Sequence, residues 1–299
     1  MFSLNRLSPV DLQLEQLLQC RFIEFQPKMH QQGVNSLQAG TFLSRQRGRG
    51  MEFDEVRQYQ QGDDIRHIDW RVSARTGKVH SKLFREERDR PVIIAIDLNA
   101  SMYFGSKDKL KAMMACELAA IIGWHAIEMH QRTGLQLIAQ EISNSTLTQQ
   151  KKGWLQALNE LLQQYFSQLE HLPSLTSSNH ALYELQRYCP TGAEVYLISD
   201  FYHYQKQDFT LLNQINHHNI ISLWQITDPF EFELPEIIKG RLPIERSDHN
   251  GWLNGNSKHF RKQYQKAAQT RQEQLVKTCQ QYALPHHFIS TAEDWDAYF

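Results

Sequence analysis

The sequence predicts an α/β protein with a doubly wound, mostly parallel sheet flanked by helices, and three observations carry that expectation. Residues 92–96, VIIAI, form an unbroken apolar run rich in β-branched side chains, which is how a strand covered on both faces reads. Similar runs recur at 195–199 and 220–226, with helix-length amphipathic stretches between them, the alternation that builds parallel sheets. The first two runs end in a carboxylate, Asp97 and Asp200, at the strand end where open α/β sheets bind ligands.

Length and composition bound the alternatives. A chain of 299 residues is long enough for one large domain with an extension, or for two domains. With 32 Lys plus Arg against 33 Asp plus Glu, the near-balance gives no reason to expect a nucleic-acid or membrane-surface protein. Cys20, Cys116, Cys189 and Cys279 are scattered without a Cys-x-x-Cys pair, so neither a zinc site nor a disulfide framework is indicated. The amino terminus lacks the apolar core of a signal peptide, and the most apolar later run, 118–127, is too short to span a bilayer. A cytoplasmic protein without a membrane segment is expected.

In chain order, Ser8-Pro9 marks a helix start, and Leu14, Leu17, Leu18, Phe22 and Phe25 follow at helical spacing, a face expected to pack on the later domain. Residues 40–50 hold Arg45, Arg47 and Arg49 among glycines, without the ending of a phosphate loop. Between 52 and 90 both charges are dense. Gly62-Asp63-Asp64 reads as a turn, Asp63 or Asp64 as a cap for 65–70, and 79–84 as a strand. Arg66, Asp69, Trp70, Arg71 and Arg75 make this stretch a candidate partner-binding surface, because a purely solvated face does not need Trp70 and Ile65 among its arginines.

From Pro91 on, helices are expected at 107–130, 153–169, 207–218 and 258–282, with strands at 135–139 and 145–149 besides those already named. Glu117 and His125 read as helix-surface groups. The pairs His217-His218 and His286-His287 read as solvated, since neighbours on a helix do not face the same way. Residues 228–235 form an acidic, aromatic loop, and 241–246 with 251–254 an edge hairpin.

The chemistry concentrates after the first core strand. Asp97, Asn99 and Ser101 alternate, so on an extended backbone their oxygens point to one side while Leu98 and Ala100 point to the other. Oxygen donors of this kind suit a hard cation such as Mg²⁺, with Mn²⁺ or Ca²⁺ as alternatives. One loop cannot complete such a shell, so Asp200 and Thr176, in the polar loop 174–179, are the further candidates. Taken singly, Asp97, Ser101 and Asp200 also read as ordinary helix caps.

Asp-x-Asn-x-Ser with a later Thr and a later strand-end Asp resembles the metal-ion-dependent adhesion site of von Willebrand factor A domains. That motif is Asp-x-Ser-x-Ser, so Asn99 is a departure, while Thr176 keeps the family spacing to Leu182. The stretch RGRGMEFDEVRQYQQGDDIRHIDWRVSARTGKVHSKLFREERDRPVIIAID, residues 47–97, closely resembles the signature of the bacterial DUF58 family, short soluble class. The resemblance implies an extension at 1–88 and a von Willebrand factor A-like domain at 89–299. It further implies a metal site of Asp97, Asn99, Ser101, Thr176 and Asp200, and a non-enzymatic interaction module. Such a module would act beside a MoxR-type AAA+ ATPase on protein complexes, with a client supplying a carboxylate. A strand ending Asp-x-x-x-Ser also resembles haloacid-dehalogenase phosphatases, in which Asp97 would be the nucleophile. There Asn99 stands where a proton-transferring Asp is needed.

Overall fold

Every residue of the strand Val92–Asp97 is buried, because it lies inside a six-stranded sheet covered on both faces. The computed structural model describes residues 10–26, 51–60, 63, 65–86, 90–107, 109–171, 177–235, 240–245 and 250–299. In chain order the elements are helix α1 (Leu14–Gln19), strand β1 (Met51–Gln58), helix α2 (Trp70–Thr76), strands β2 (His80–Glu86) and β3 (Val92–Asp97), helix α3 (Lys111–Glu128), and strands β4 (Thr133–Ile138) and β5 (Ile142–Asn144). Helices α4 (Lys151–Glu170) and α5 (Ser178–Tyr188), strand β6 (Glu194–Ser199), helix α6 (Lys206–Asn216), and strands β7 (Ile220–Thr227), β8 (Arg241–Glu245) and β9 (Asn250–Asn254) follow. Helix α7 (Lys258–Gln281) and strand β10 (His286–Ser290) complete the set.

The sheet order is β10-β7-β6-β3-β4-β5, parallel throughout except for β5, which turns back antiparallel on β4. Alternate side chains of β3 enter two cores. Val92, Ile94 and Ile96 pack with α1, α3 and α4, while Ile93 and Ala95 pack with α5 and α6. That is the layered architecture the unbroken apolar runs demand. The expected doubly wound fold is therefore present.

Contacts group Met1–Val34 with Arg90–Phe299 in one unit and Asn35–Asp89 in another, so the extension drawn from sequence as 1–88 is divided differently. The amino-terminal segment joins the sheet unit through buried Leu12, Leu17, Cys20 and Phe25. Hydrogen bonds tie it down: Trp124 Nε1 donates to the Leu17 carbonyl at 2.9 Å, Tyr165 Oη to the Val10 carbonyl at 2.9 Å, and Arg21 Nε to Glu128 Oε1 at 2.8 Å.

The second unit is an antiparallel β1–β2 pair with α2 between its strands, its register shifting between Phe53 and Glu55. Asp69 caps α2: its carboxylate accepts from the Arg71 and Val72 amides, and Gly77 closes the helix at φ 71°. Asp63 instead binds Arg57 at 2.7 Å. Gly62, Asp64 and the arginine-glycine stretch 40–50 lie outside the described residues.

Several local expectations are corrected. α3 starts at Lys111 rather than 107: the Lys111 amide donates to the Phe104 carbonyl at 2.9 Å, and Gly105 lies so close to Lys109 that a Cβ there would be 2.2 Å from its carbonyl oxygen. The strand expected at 145–149 is reduced to an isolated bridge, Thr133 to Thr148, and the paired residues are those of β5. Glu117 is not on a helix surface but fully buried: its Oε2 accepts from Lys109 Nζ at 2.5 Å and Trp295 Nε1 at 2.9 Å. His286 and His287 lie on β10 and are half-buried rather than fully solvated. His287 stacks on Trp224 with ring centroids 4.2 Å apart, and His286 Nε2 meets Gln225 Oε1 at 3.0 Å. β8 and β9 form their own two-stranded sheet.

Candidate functional site

The sheet reverses its winding between β3 and β6. From β3 the chain crosses by α3 to β4 on one side, and from β6 it crosses by α6 to β7 on the other, so the loops leaving these two strands diverge. The crevice so made is where doubly wound folds bind ligands. Asp97 closes β3, Ser199 and Asp200 close β6, and Asp228 follows β7.

Each of the first two carboxylates uses one oxygen locally and the other at long range. Asp97 Oδ1 accepts from the Asn99 amide nitrogen at 2.9 Å and its side-chain Nδ2 at 2.7 Å, while Oδ2 accepts from Ser199 Oγ at 2.6 Å. Asp200 Oδ1 accepts from the Tyr202 amide at 3.0 Å, and Oδ2 from Lys111 Nζ at 2.7 Å. The capping role is thus real but accounts for only half of each group. Just after Asp200 the chain turns at Phe201, a bulky residue held at φ 54° that donates its amide to Ser199 Oγ. A residue of this size seldom adopts that left-handed conformation.

The electrostatics follow from burial and charge. Burial and then the nearby Asp200 charge push the Asp97 carboxyl up to about 6, against the opposing bonds from Ser199 and Asn99. Burial, the largest single influence, would raise Asp200 as well, but the Lys111 ammonium together with bonds from the Tyr202 amide and Ser101 holds that carboxyl below its ordinary value. Burial would likewise lower Lys111, yet Asp200 and Glu231 hold it above the usual lysine value. Lys111 Nζ also contacts Glu231 Oε1 at 2.5 Å.

Of the five residues expected to hold a metal, Asp97, Asn99, Ser101 and Asp200 come together here. Thr176 lies outside the described residues. Ser101 sits in a short 3-10 turn, Ala100–Met102, beside Asp200, whose carboxyl it helps to hold low. Its buried Oγ nevertheless reaches no partner at hydrogen-bond geometry. An orphaned hydroxyl oxygen among crowded carboxylates is what a hard cation would satisfy, so the donors fit Mg²⁺. Among the described residues there is no cluster of three or more His, Cys, Asp or Glu able to hold a metal, so any shell here depends on neutral oxygens.

Sequence reasoning missed four participants. Lys111 was hidden because a lysine in a first helical turn reads as solvated. Ser199 and Glu231 needed the fold to bring them in. Asp228 had a signal: like Asp97 and Asp200 it directly follows an apolar strand, and its buried carboxylate accepts from the Ser106 amide at 2.8 Å, Thr291 Oγ1 at 2.7 Å and the Phe230 amide at 2.9 Å. In the second unit, Trp70 and Ile65 are about 70% exposed, in a stretch that also carries Arg66, Arg71 and Arg75. Asp69 is taken up by the α2 cap and by Lys82 at 3.6 Å.

Fold and geometry together define a doubly wound α/β domain with an oxygen-rich crevice at its switch point. The chain belongs to the family described as protein of unknown function DUF58, whose pattern matches residues 55–274. It is 35% identical over 91 residues to the uncharacterized protein Rv1480 of Mycobacterium tuberculosis, a match covering 30% of this chain and only 29% of that curated relative. Among solved structures it resembles an aerotolerance-related membrane protein from Bacteroides fragilis, with 11% identity, a TM-score of 0.40, and coverage of 68% of this chain and 91% of the other. It also resembles a von Willebrand factor type A structure from Catenulispora acidiphila, with 13% identity, a TM-score of 0.34, and coverage of 50% and 35%.

The cytoplasmic placement expected from the sequence is withdrawn; the Bacteroides fragilis structure is described as that of a membrane protein, which is a statement about that protein. Among the described residues no helix is long and apolar enough to cross a membrane.

Proposed function

We propose that the chain is a non-enzymatic protein-interaction module that docks a carboxylate-bearing partner at the carboxyl edge of its sheet. The single observation that carries this reading is the buried Ser101 hydroxyl left without a partner beside Asp200 at the switch point. Ser101, Asn99 and Thr176 are the proposed direct oxygen donors, with Asp97 and Asp200 holding the ion's waters. A bound Mg²⁺ would supply an electrophilic centre that a partner's Asp or Glu completes. Asp97 is oriented for this by Ser199 and Asn99, and Asp200 by the Tyr202 amide. Family membership supports an interaction role, and a MoxR-type AAA+ ATPase is the proposed partner, acting with this chain in assembly or remodelling of protein complexes.

Phosphatase chemistry at Asp97 has less support. Both carboxylate oxygens already accept hydrogen bonds, and Asn99 offers an amide where an acid-base group is required. Phosphate release from a generic aryl phosphate, abolished by Asp97→Ala, would overturn the non-enzymatic reading.

Thermal unfolding with Mg²⁺ tests the site. At ~100 times the dissociation constant a ligand that binds only the folded state adds about 2.7 kcal/mol of stability. Ser101→Ala is expected to remove most of this gain while changing the metal-free protein little, because the hydroxyl makes no hydrogen bond at full geometry and only helps to hold Asp200 low. A wild-type melting temperature that does not move in millimolar Mg²⁺ or Mn²⁺ contradicts the proposal.

A further inference from the structure

We infer that Lys111 is the resident cation of this site and competes with a divalent ion for Asp200, so that loading the site requires Lys111 to leave that carboxylate. The inference rests on the reading above and adds a control that neither the sequence motif nor the family predicts.

Lys111 occupies a costly position. It is the first residue of α3, where the aligned helix amides disfavour a positive charge, and its side chain is only 1% exposed. A long side chain is ordered there against both rotamer entropy and desolvation. What holds it is two carboxylates from two other strand-end loops, Asp200 at 2.7 Å and Glu231 at 2.5 Å.

The ammonium and a divalent ion would share one carboxylate. Asp200 accepts from the Tyr202 amide at Oδ1 and from Lys111 Nζ at Oδ2, so an ion or its water reaching this carboxylate meets the ammonium already on it. Two cations sharing one buried carboxylate repel strongly where the dielectric is low. Nor does one ammonium balance the site, since Asp97, Asp200 and Glu231 converge on it and Asp97 feels Asp200 as a like charge. The excess negative charge draws a second cation while the first obstructs it.

The geometry also supplies an exit. Glu231 is less deeply buried than Asp200, its side chain 21% exposed against 4%. It lines a cleft of about 190 Å³ with Tyr202, Tyr264 and Arg271. An ammonium that leaves Asp200 but keeps Glu231 swings towards this cleft without entering solvent unpaired.

Calorimetric titration of Mg²⁺ into the wild type and Lys111→Met tests the competition. The variant is expected to bind Mg²⁺ at least about tenfold more tightly, within the usual range of coupling between two ligands. Because Lys111→Met also leaves carboxylates unpaired and could unfold, a second measurement uses the native chain. Reaction of Lys111 with an amine-acylating reagent, read by mass spectrometry, should rise several-fold on saturation with Mg²⁺. Equal Mg²⁺ affinity in both proteins, or Lys111 labelling indifferent to bound Mg²⁺, overturns the inference and leaves the metal site standing. Binding by neither protein overturns both.

Discussion

At the scale of single residues, burial decides which charges matter. Lys109 and Glu117 form a pair with almost no exposure, and Trp295 donates to the same Glu117 oxygen while Lys109 lies 5.5 Å from the centre of the Trp295 ring. Removing one partner of a buried pair leaves an uncompensated charge, so Glu117→Ala is expected to cost about 3–5 kcal/mol. Urea unfolding of that variant checks it, and Lys109→Met combined with Glu117→Leu should recover much of the loss. A loss below about 1 kcal/mol would show the pair to be solvated. His286 gives a pH test away from the proposed metal site. Burial, and then His287, hold its imidazole down to about 4, whereas in the unfolded chain it protonates near 6.5. The unfolded state therefore binds the extra proton between those values, and His286's contribution to stability is complete above pH 6.5 and lost as the pH falls towards 4. Urea midpoints should drop more between pH 7 and pH 5 for the wild type than for His286→Gln. Equal drops would mean that His286 is not buried in its neutral form. Neither group was legible in the sequence: a lone Glu on a helix and a pair of histidines near a terminus have solvated readings until a tertiary contact buries them.

At the scale of elements, strands were legible where burial on both faces wrote an unbroken apolar run, as in β3, β6 and β7. β5 was not, because three residues at a sheet edge, mostly exposed, carry no such run. The α3–α4 contact is of the same hidden kind. Gly123 sits against the Trp154 ring so closely that an added Cβ would lie 1.9 Å from it, and Trp154 is fully buried. Gly123→Val should therefore force the helices apart and lower stability by about 1–3 kcal/mol, the usual cost of overpacking. Chemical denaturation measures this. An unchanged midpoint would mean that Trp154 can be repacked. The same pattern of strand ends explains the site: Asp97 and Asp200 stood out because each follows a core run, and Asp228 obeys the same rule after β7. Lys111 and Glu231 could be found only once α3 and the loop after β7 had been brought to the crevice.

At the scale of the whole molecule, the fold fixes where chemistry is possible. A sheet wound in both directions from β3 and β6 leaves one crevice at its carboxyl edge, and three carboxylates, an orphaned hydroxyl and a buried ammonium meet there. The alternation of apolar runs and amphipathic stretches was enough to foresee that architecture. The helical spacing of Leu14, Leu17 and Phe25 also foretold that the amino-terminal segment packs on the later domain, whereas the boundary between the two units carried no local signature. The most direct measurement is an anomalous-scattering map of crystals grown or soaked in Mn²⁺. The account predicts a single strong peak at the end of β3 and β6, within roughly 2.0–2.3 Å of the Ser101 hydroxyl oxygen. It also predicts that Lys111 is then displaced from Asp200. A map without a peak there, with Lys111 still on Asp200 in millimolar Mn²⁺, would contradict it.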